Sequence, residues 1–369
     1  MTTIVTSTRA AATSTPMGIP GEPDRVAATV AGIGVAHPPP AAQEDLWEGF
    51  FATHYAGVAP GLAKRIFANS GVRRRHGVVN PLVEDPSQWS TAQRMRRYLV
   101  EALPLGKDAL ARALARAGLA ATDVGLLVVC SCTGYATPGL DILLARDLAM
   151  AADLRRVFIG HMGCYAALPG LGVAADYVAQ HGRPAVLLCV ELPSLHVQPS
   201  ERDVQQVVAH ALFSDAAAAV VLVPNGSGPR VVRVVARTDP TTADYMTWHI
   251  TDLGFRMGLS PEVPDALARH VGPAVGDLLG PSGLDTTAVS AWAVHPGGPR
   301  ILEVVAQRLA LPGDALASST KVLAEHGNCS SATVLLVLDD LLRRAGGLRG
   351  PAVAMAFGPG LTLYAALLA

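Results

Sequence analysis

The sequence predicts a duplicated α/β fold, and three observations predict it. β-Branched apolar runs alternate along the chain with longer helix-like patterns. Several runs, "LLVVC" and "AVLLCV" among them, are apolar without alternation, which marks strands covered on both faces. The run "SDAAAAVVLV" ahead of the turn "NGSG" is echoed by "CSSATVLLVL" in the second half. Composition is compatible with this: of 369 residues 50% are apolar and 16% charged, with net charge −1, so a large core forms and no electrostatic footprint for nucleic acid or a membrane surface exists.

The elements follow in order. "RVAATVAGIGVA" reads as a strand and "QEDLWEGFFATHYAG" as a helix. "DALARALARAGL" is an amphipathic helix whose Gly-containing turn leads into the buried strand "LLVVC". "RRVFIG" is a strand ending at the corner "HMGCYAALPGL", after which a helix runs through Tyr177 and Val178 to a turn at His181 and Gly182, and "PAVLLCVE" forms the next strand. A further strand in "HALFSDAAAAVVLVP" precedes residues 225–228, "NGSG", the clearest punctuation in the chain. The second half repeats the pattern with the strand "PRVVRVVART", a helix from about Pro264 to Leu279, the strand "AVSAWAVHPGG", the helix "PRILEVVAQRLAL", the segment "HGNCSSATVLLVLDDLLRRAG" and the strands of "PAVAMAFGPGLTLYAAL". The expected divisions are a flexible tail (1–24), a first half (25–226) and a second half (227–369).

No segment sustains the roughly 20 apolar residues a membrane span requires, and the Thr/Ala/Ser/Pro-rich start contains no apolar core of a secretory signal. Cys130, Cys132, Cys164, Cys189 and Cys329 are odd in number and scattered, which argues against a disulfide framework and for a reducing, cytoplasmic location. Cys130-Ser131-Cys132 is one residue short of a zinc knuckle and has no partner pair, so no metal is expected.

Three residues of chemical interest sit at glycine-bearing corners after apolar runs: Cys164, His295 in "AVHPGG" and Asn328 in "HGNCSS". Read singly, each has an ordinary role, as a buried thiol, a core histidine, or a turn-forming Asn before a helix cap at Ser330 or Ser331. Read together they suggest nucleophilic chemistry. A thiol at a helix N-terminus, beside an imidazolium, is stabilised as thiolate. Gly163 also frees a backbone N–H to face an acyl oxygen.

The motifs "SCTGYATPGLD", "LFSDAAAAVVL", "WAVHPGGPRIL", "HGNCSSATVLLVL" and "AFGPGLT", in this order around Cys164, resemble the type III polyketide synthases, the chalcone synthase-like family, from about Arg25 to the end. The resemblance implies a thiolase fold in five αβαβα layers, a homodimer, and Cys164, His295 and Asn328 as catalytic triad. It implies acyl-CoA and malonyl-CoA as substrates, condensed by repeated decarboxylative Claisen steps on the cysteine and cyclised to a pyrone, resorcinol or related product, with no cofactor. Phe213 matches the family's phenylalanine at the tunnel mouth, which orients malonyl-CoA. The second gatekeeper phenylalanine is replaced by Met257, or, if the alignment shifts by two residues, matched by Phe255; a flexible thioether at that gate favours an aliphatic starter.

Other cavity positions depart from the plant enzymes. Cys132 stands where those have Thr, beside Thr133, and His196 and Trp248 fall at positions that set cavity size. Thr137 replaces a Met that reaches into the neighbouring subunit, and Ser330 follows the triad Asn. Arg65, with Lys64 beside it, matches a coenzyme A-binding residue, and "VRRRH" at 72–76 offers a second phosphate site. Two rivals are a ketoacyl-ACP synthase III-like enzyme, whose histidine motif usually reads His-Gln-Ala-Asn, and a catalytically silent thiolase-fold binding protein.

Overall fold

The unbroken apolar runs form the inner strands of two sheets in the computed structural model, which describes residues 26–57, 60–344 and 348–369. The tail at 1–24 lies outside the described residues. The first sheet holds, in spatial order, Ala28–Ala36, Ala216–Pro224, Ala185–Glu191, Leu126–Cys130 and Arg155–Ile159. The first two pairings are antiparallel and the last two are parallel. The second sheet holds Val231–Thr238, Thr362–Leu368, Ala352–Gly358 and Ala291–Val294. Its pairings are antiparallel, antiparallel and parallel, so the second sheet repeats the order and direction of the first four strands of the first.

The layers follow from which faces are apolar. Helices Ala167–His181 and Thr333–Arg344 lie between the sheets and share one core with both, built from residues such as Leu168, Leu171, Leu187, Val220, Leu335 and Ala354. Each such Leu or Val contributes about 1.5–3 kcal/mol by leaving water. Helix Thr91–Ala117 covers the outer face of the first sheet, and helices Val263–Leu279 and Pro299–Leu309 cover that of the second. The result is the five-layered αβαβα arrangement of a thiolase fold. Gly34 allows the outer helix to approach: a Cβ there would lie 2.1 Å from the Ala109 carbonyl oxygen.

The halves repeat, but not through the echo of "SDAAAAVVLV" in "CSSATVLLVL": the first run is strand Ala216–Pro224, the second enters helix Thr333–Arg344, and the matching strand is Thr362–Leu368. Two further elements differ from the sequence expectation. The expected single helix over 43–57 is broken into Gln43–Leu46, a π-helical turn at Trp47–Phe51 and Ala52–His54. The aromatic rings Trp47, Phe51 and Tyr55 pack onto helix Pro60–Asn69, and that packing outweighs regular helix geometry. The helix expected from Asp108 instead starts at Thr91, where Ser90 and Gln93 form a capping box, and runs through Pro104. No helix among the described residues is long and apolar enough to cross a membrane.

Candidate active site

Cys164 and Asn328 stand at matching places in the two halves. Each lies in or just before a single 3-10 turn, Gly163–Tyr165 and Ser330–Ala332, that leads into one of the two central helices. Left-handed backbone starts both turns, with φ of +67° at Gly163 and +47° at Ser330. Ser330 and Ser331 therefore do not cap the helix, because the 3-10 turn occupies the capping position. His295 follows strand Ala291–Val294, its N–H donating to the Met355 carbonyl at 2.8 Å.

Cys164, His295 and Asn328 line one cavity of about 650 Å³, together with Phe213, Met257 and Phe357. A small inner chamber of about 30 Å³ adjoins Cys164 and is walled by Cys132, Thr133, Trp248, Ser330 and Pro359. A third cavity of about 330 Å³ lies behind His196, Trp248 and Phe255. Phe213 and Met257 line all three, so they stand where the spaces meet. Phe255 is stacked on His196 at 4.5 Å and faces only the third cavity, which puts Met257 at the gate.

The polar atoms are arranged as donors toward the main cavity. Asn328 Oδ1 accepts from the Ser330 N–H at 2.9 Å, which leaves its Nδ2 hydrogens free to donate. His295 Nδ1 is buried without a partner. A buried lone pair costs less there than a buried N–H, so the proton belongs on Nε2, the nitrogen left for the cavity. Burial holds His295 neutral, with its pKa lowered to about 3. Burial also pushes the Cys164 thiol up to about 12, against the pull of the Ser330 hydroxyl. Burial thus works against the expected imidazolium–thiolate pair at both partners, and Cys164 lies ahead of the regular helix, where the helix-end field is weaker.

Sequence reasoning missed the carboxylate beneath the chamber. Glu191, fully buried at the end of Ala185–Glu191, accepts from Ser331 Oγ at 2.6 Å, Thr133 Oγ1 at 2.9 Å and the Cys132 N–H at 3.1 Å. Burial lifts its carboxyl to about 7, so at neutral pH it both gives and takes protons. The one signal available was a charge ending the apolar run "AVLLCV". Cys132 Sγ sits between Glu191 and Ser330 Oγ, 3.4 Å from the latter.

His196 is fixed as a wall: Nε2–H donates to the Thr133 carbonyl at 2.7 Å and Nδ1 accepts from the Phe255 N–H at 3.0 Å. Trp248 Nε1 donates to the Cys132 carbonyl at 2.8 Å and meets His196 edge-on. Arg94, wholly buried, steadies this wall by donating to the carbonyls of Leu195 and Val197.

Other expected residues are not brought to the cavity. Lys64 and Arg65 are exposed on helix Pro60–Asn69, whose Ile66 and Asn69 line the mouth instead, along with Arg202 and Arg300. In "VRRRH", Arg75 is buried on the carbonyls of His210 and Phe213, so it holds main chain rather than phosphate. Thr137 is exposed beside Tyr135 and Phe158, in a separate surface hollow.

Two family models match: chalcone and stilbene synthases, N-terminal domain, over residues 22–229, and the C-terminal domain over 231–369. A 1,3,6,8-tetrahydroxynaphthalene synthase of Streptomyces peucetius subsp. caesius is 38% identical over 312 residues, 82% of each chain. An alpha-pyrone synthesis polyketide synthase-like protein, Pks18, of Mycobacterium tuberculosis is 32% identical over 314 residues, covering 81% of this chain and 80% of that one. Among solved structures, 1,3,6,8-tetrahydroxynaphthalene synthase from Streptomyces coelicolor A3(2) superposes with a TM-score of 0.87 at 30% identity, covering 92% of this chain and 98% of that one. PKS-I from the brown alga Ectocarpus siliculosus gives 0.88 at 30% identity, with 94% and 99% covered.

Proposed function

The chain belongs to the chalcone and stilbene synthase family, the type III polyketide synthases, and from that premise we propose how its residues condense acyl-CoA with malonyl-CoA. The observation that carries the proposal is the single cavity lined by Cys164, His295 and Asn328 beneath Phe213 and Met257. Cys164 Sγ attacks the starter thioester while His295 Nε2–H and Asn328 Nδ2 hold the developing oxyanion; the thiol proton passes to the departing thiolate, releasing free coenzyme A and leaving an acyl-Cys. Malonyl-CoA then docks with its thioester oxygen toward His295 Nε2–H and Asn328 Nδ2. The apolar face of Phe213 desolvates the carboxylate, CO₂ leaves, and the two donors hold the enolate oxygen. The enolate carbon attacks the acyl-Cys carbonyl and expels the Cys164 thiolate, so the lengthened chain departs on coenzyme A and is reloaded for the next round.

This sequence of steps uses no cofactor, since both reactants arrive activated as thioesters. The bulk of His196 and Trp248 beside the chamber, and the thioether of Met257 at the gate, support an aliphatic starter, with its tail in the third cavity among Leu46, Phe51, Val79 and Val197. The relatives' names support a pyrone or a polyhydroxylated aromatic as product. We assign residues 25–226 to the half carrying the nucleophile and 227–369 to the half carrying the donors. Coenzyme A phosphates are proposed to meet Arg202 and Arg300 at the mouth, with Lys64 and Arg65 near them.

A homodimer is supported by the free edge of the first sheet, strand Arg155–Ile159, where Val157 and Phe158 are exposed beside Tyr135 and Ile142. Thr137 belongs to that face. Five free thiols support a reducing cytoplasmic location.

The test combines intact-mass analysis with a starter panel. Wild type forms an acyl adduct on Cys164 and extends it with malonyl-CoA without a carrier protein. Cys164→Ala loses condensation and keeps some malonyl decarboxylation, whereas His295→Ala loses decarboxylation. Full activity of Cys164→Ala, or strict dependence on malonyl-ACP with one extension, overturns the proposal.

A further inference from the structure

Behind the wall of the active site lies a histidine cluster that the condensation does not use. His37, His76 and His326 are far apart in sequence and stacked in space. The His37 ring lies 4.4 Å from both His76 and His326, and is within 4° of parallel to the latter. One nitrogen from each histidine lies within 4.8 Å of the other two.

The hydrogen bonds set the tautomers. His76 Nδ1–H donates to the Pro38 carbonyl at 2.9 Å, so Nε2 carries a lone pair, and it faces His326 Nδ1 at 3.0 Å. A metal-ligating histidine has this arrangement, with its far N–H fixed on a carbonyl and its near nitrogen available. His37 Nδ1 is buried and has no hydrogen-bond partner. A hydrogen bond joins the His76 and His326 nitrogens, but neither it nor the stacking provides a partner for His37 Nδ1.

We propose that His37, His76 and His326 bind one divalent transition-metal ion of the zinc class, with water in the fourth position. Neutral imidazoles select zinc, cobalt, nickel or copper over magnesium and calcium, which take oxygen ligands. A tetrahedral ion with metal–nitrogen distances of about 2.0–2.1 Å spaces its ligand atoms by roughly 3.3 Å. The His76–His326 pair already has nearly that spacing through its hydrogen bond, so the ion displaces the proton on His326 Nδ1, and His37 rotates out of its parallel stack to aim a nitrogen at it. His37 and His326 are half-buried, which gives the fourth position access to water. The nearby cations Arg74 and Lys321 weaken the site, and Asp340 offsets part of that effect. The ion is a clamp rather than a reagent. His326 lies two residues before Asn328, and Ser214 joins His76 to Asn328 by donating its N–H to the Asn328 carbonyl and its hydroxyl to the His76 carbonyl. Binding therefore ties three separate segments together behind the oxyanion donor.

The experiment uses the full chain without an affinity tag, treated with chelator and titrated with Co²⁺ and with Zn²⁺. The expected result is one ion per chain, a visible d–d band of tetrahedral cobalt without thiolate charge transfer, and a Tm rise of about 3–4 °C at a hundredfold excess of Zn²⁺ over Kd. His37→Ala weakens binding by more than ~100-fold, since loss of an outer-shell partner alone costs 10–100-fold, and it abolishes the Tm rise. Cys164→Ala binds as wild type does. His326→Asn serves as a second variant if His37→Ala does not fold. The proposal is overturned by absence of stoichiometric binding, by unchanged affinity in the histidine variants, or by a charge-transfer band that disappears in Cys164→Ala and so places the ion on that thiol.

Discussion

Replacing Glu191 by Gln flattens the dependence of stability on pH. The fold raises the Glu191 carboxyl from an ordinary 4.5 to about 7, chiefly by burial, and the Ser331, Thr133 and Cys132 donors recover only part of the lost hydration. The folded chain thus holds this proton more tightly than the unfolded chain does. Below about pH 4 both states are protonated and the group is neutral in its effect. As pH rises from about 4.5 to 7 the unfolded carboxyl ionises first, and the native state loses stability; above 7 the deficit stays constant. Between pH 5 and pH 8 the loss amounts to roughly 2–3 kcal/mol. Glutamine keeps the shape, cannot ionise, and turns an NH₂ toward neighbouring donors, which costs about 1–3 kcal/mol at every pH.

The variant is therefore less stable than wild type at pH 5 and matches or overtakes it at pH 8. Urea unfolding followed by tryptophan fluorescence, in reducing buffer at fixed protein concentration, reads the difference. Asp215, likewise lifted to about 7 by burial, titrates in both proteins and cancels on subtraction. Parallel stability–pH curves for the two proteins refute the reasoning, because they mean Glu191 ionises in the fold as it does in water.

Two further predictions concern product and assembly. Trp248→Ala removes the ring between the chamber of about 30 Å³ and the cavity of about 330 Å³; products gain malonyl-derived units or longer starters are accepted, at a stability cost of about 2–4 kcal/mol. Mass spectrometry of the product mixture checks this, and an unchanged distribution refutes it. Phe158→Asp places a charge on the exposed edge strand and converts the proposed dimer to monomer, as read by sedimentation; a dimer of unchanged affinity removes that edge from the interface.

Much of this architecture was legible in the sequence for a physical reason: strands covered on both faces leave no room for polar residues. "LLVVC", "AVLLCV" and "AAAAVVLV" therefore announce themselves, and glycine corners mark where they stop. The joint spacing of Cys164, His295 and Asn328 placed the candidate site. What escaped depends on contacts between distant segments. The π-helical turn at Trp47–Phe51 answers to rings on helix Pro60–Asn69. Arg75 looks like any other arginine of "VRRRH" until the fold buries it on main-chain carbonyls. Glu191 has no motif; its proton affinity comes from Ser331, Thr133 and Cys132, drawn from both halves. The histidine cluster joins residues that no spacing rule relates.

The contact between Phe213 and Asn328 has a consequence for recombination. Asn328 donates its N–H to the Leu212 carbonyl at 2.8 Å and accepts the Ser214 N–H at 3.0 Å. The two halves thus register the gate against the oxyanion donor through peptide groups alone. A chimera spliced in the Asn225–Gly228 turn inherits Phe213 and the nucleophile from one parent, and Met257 and the two donors from the other. Its success depends on agreement of main-chain path at these residues, together with the side-chain pairs that cross the halves, such as Ser331 with Glu191 and Trp248 with the Cys132 carbonyl. Parents with different cavities can therefore exchange halves where that short splice of backbone superposes and those crossing pairs are kept.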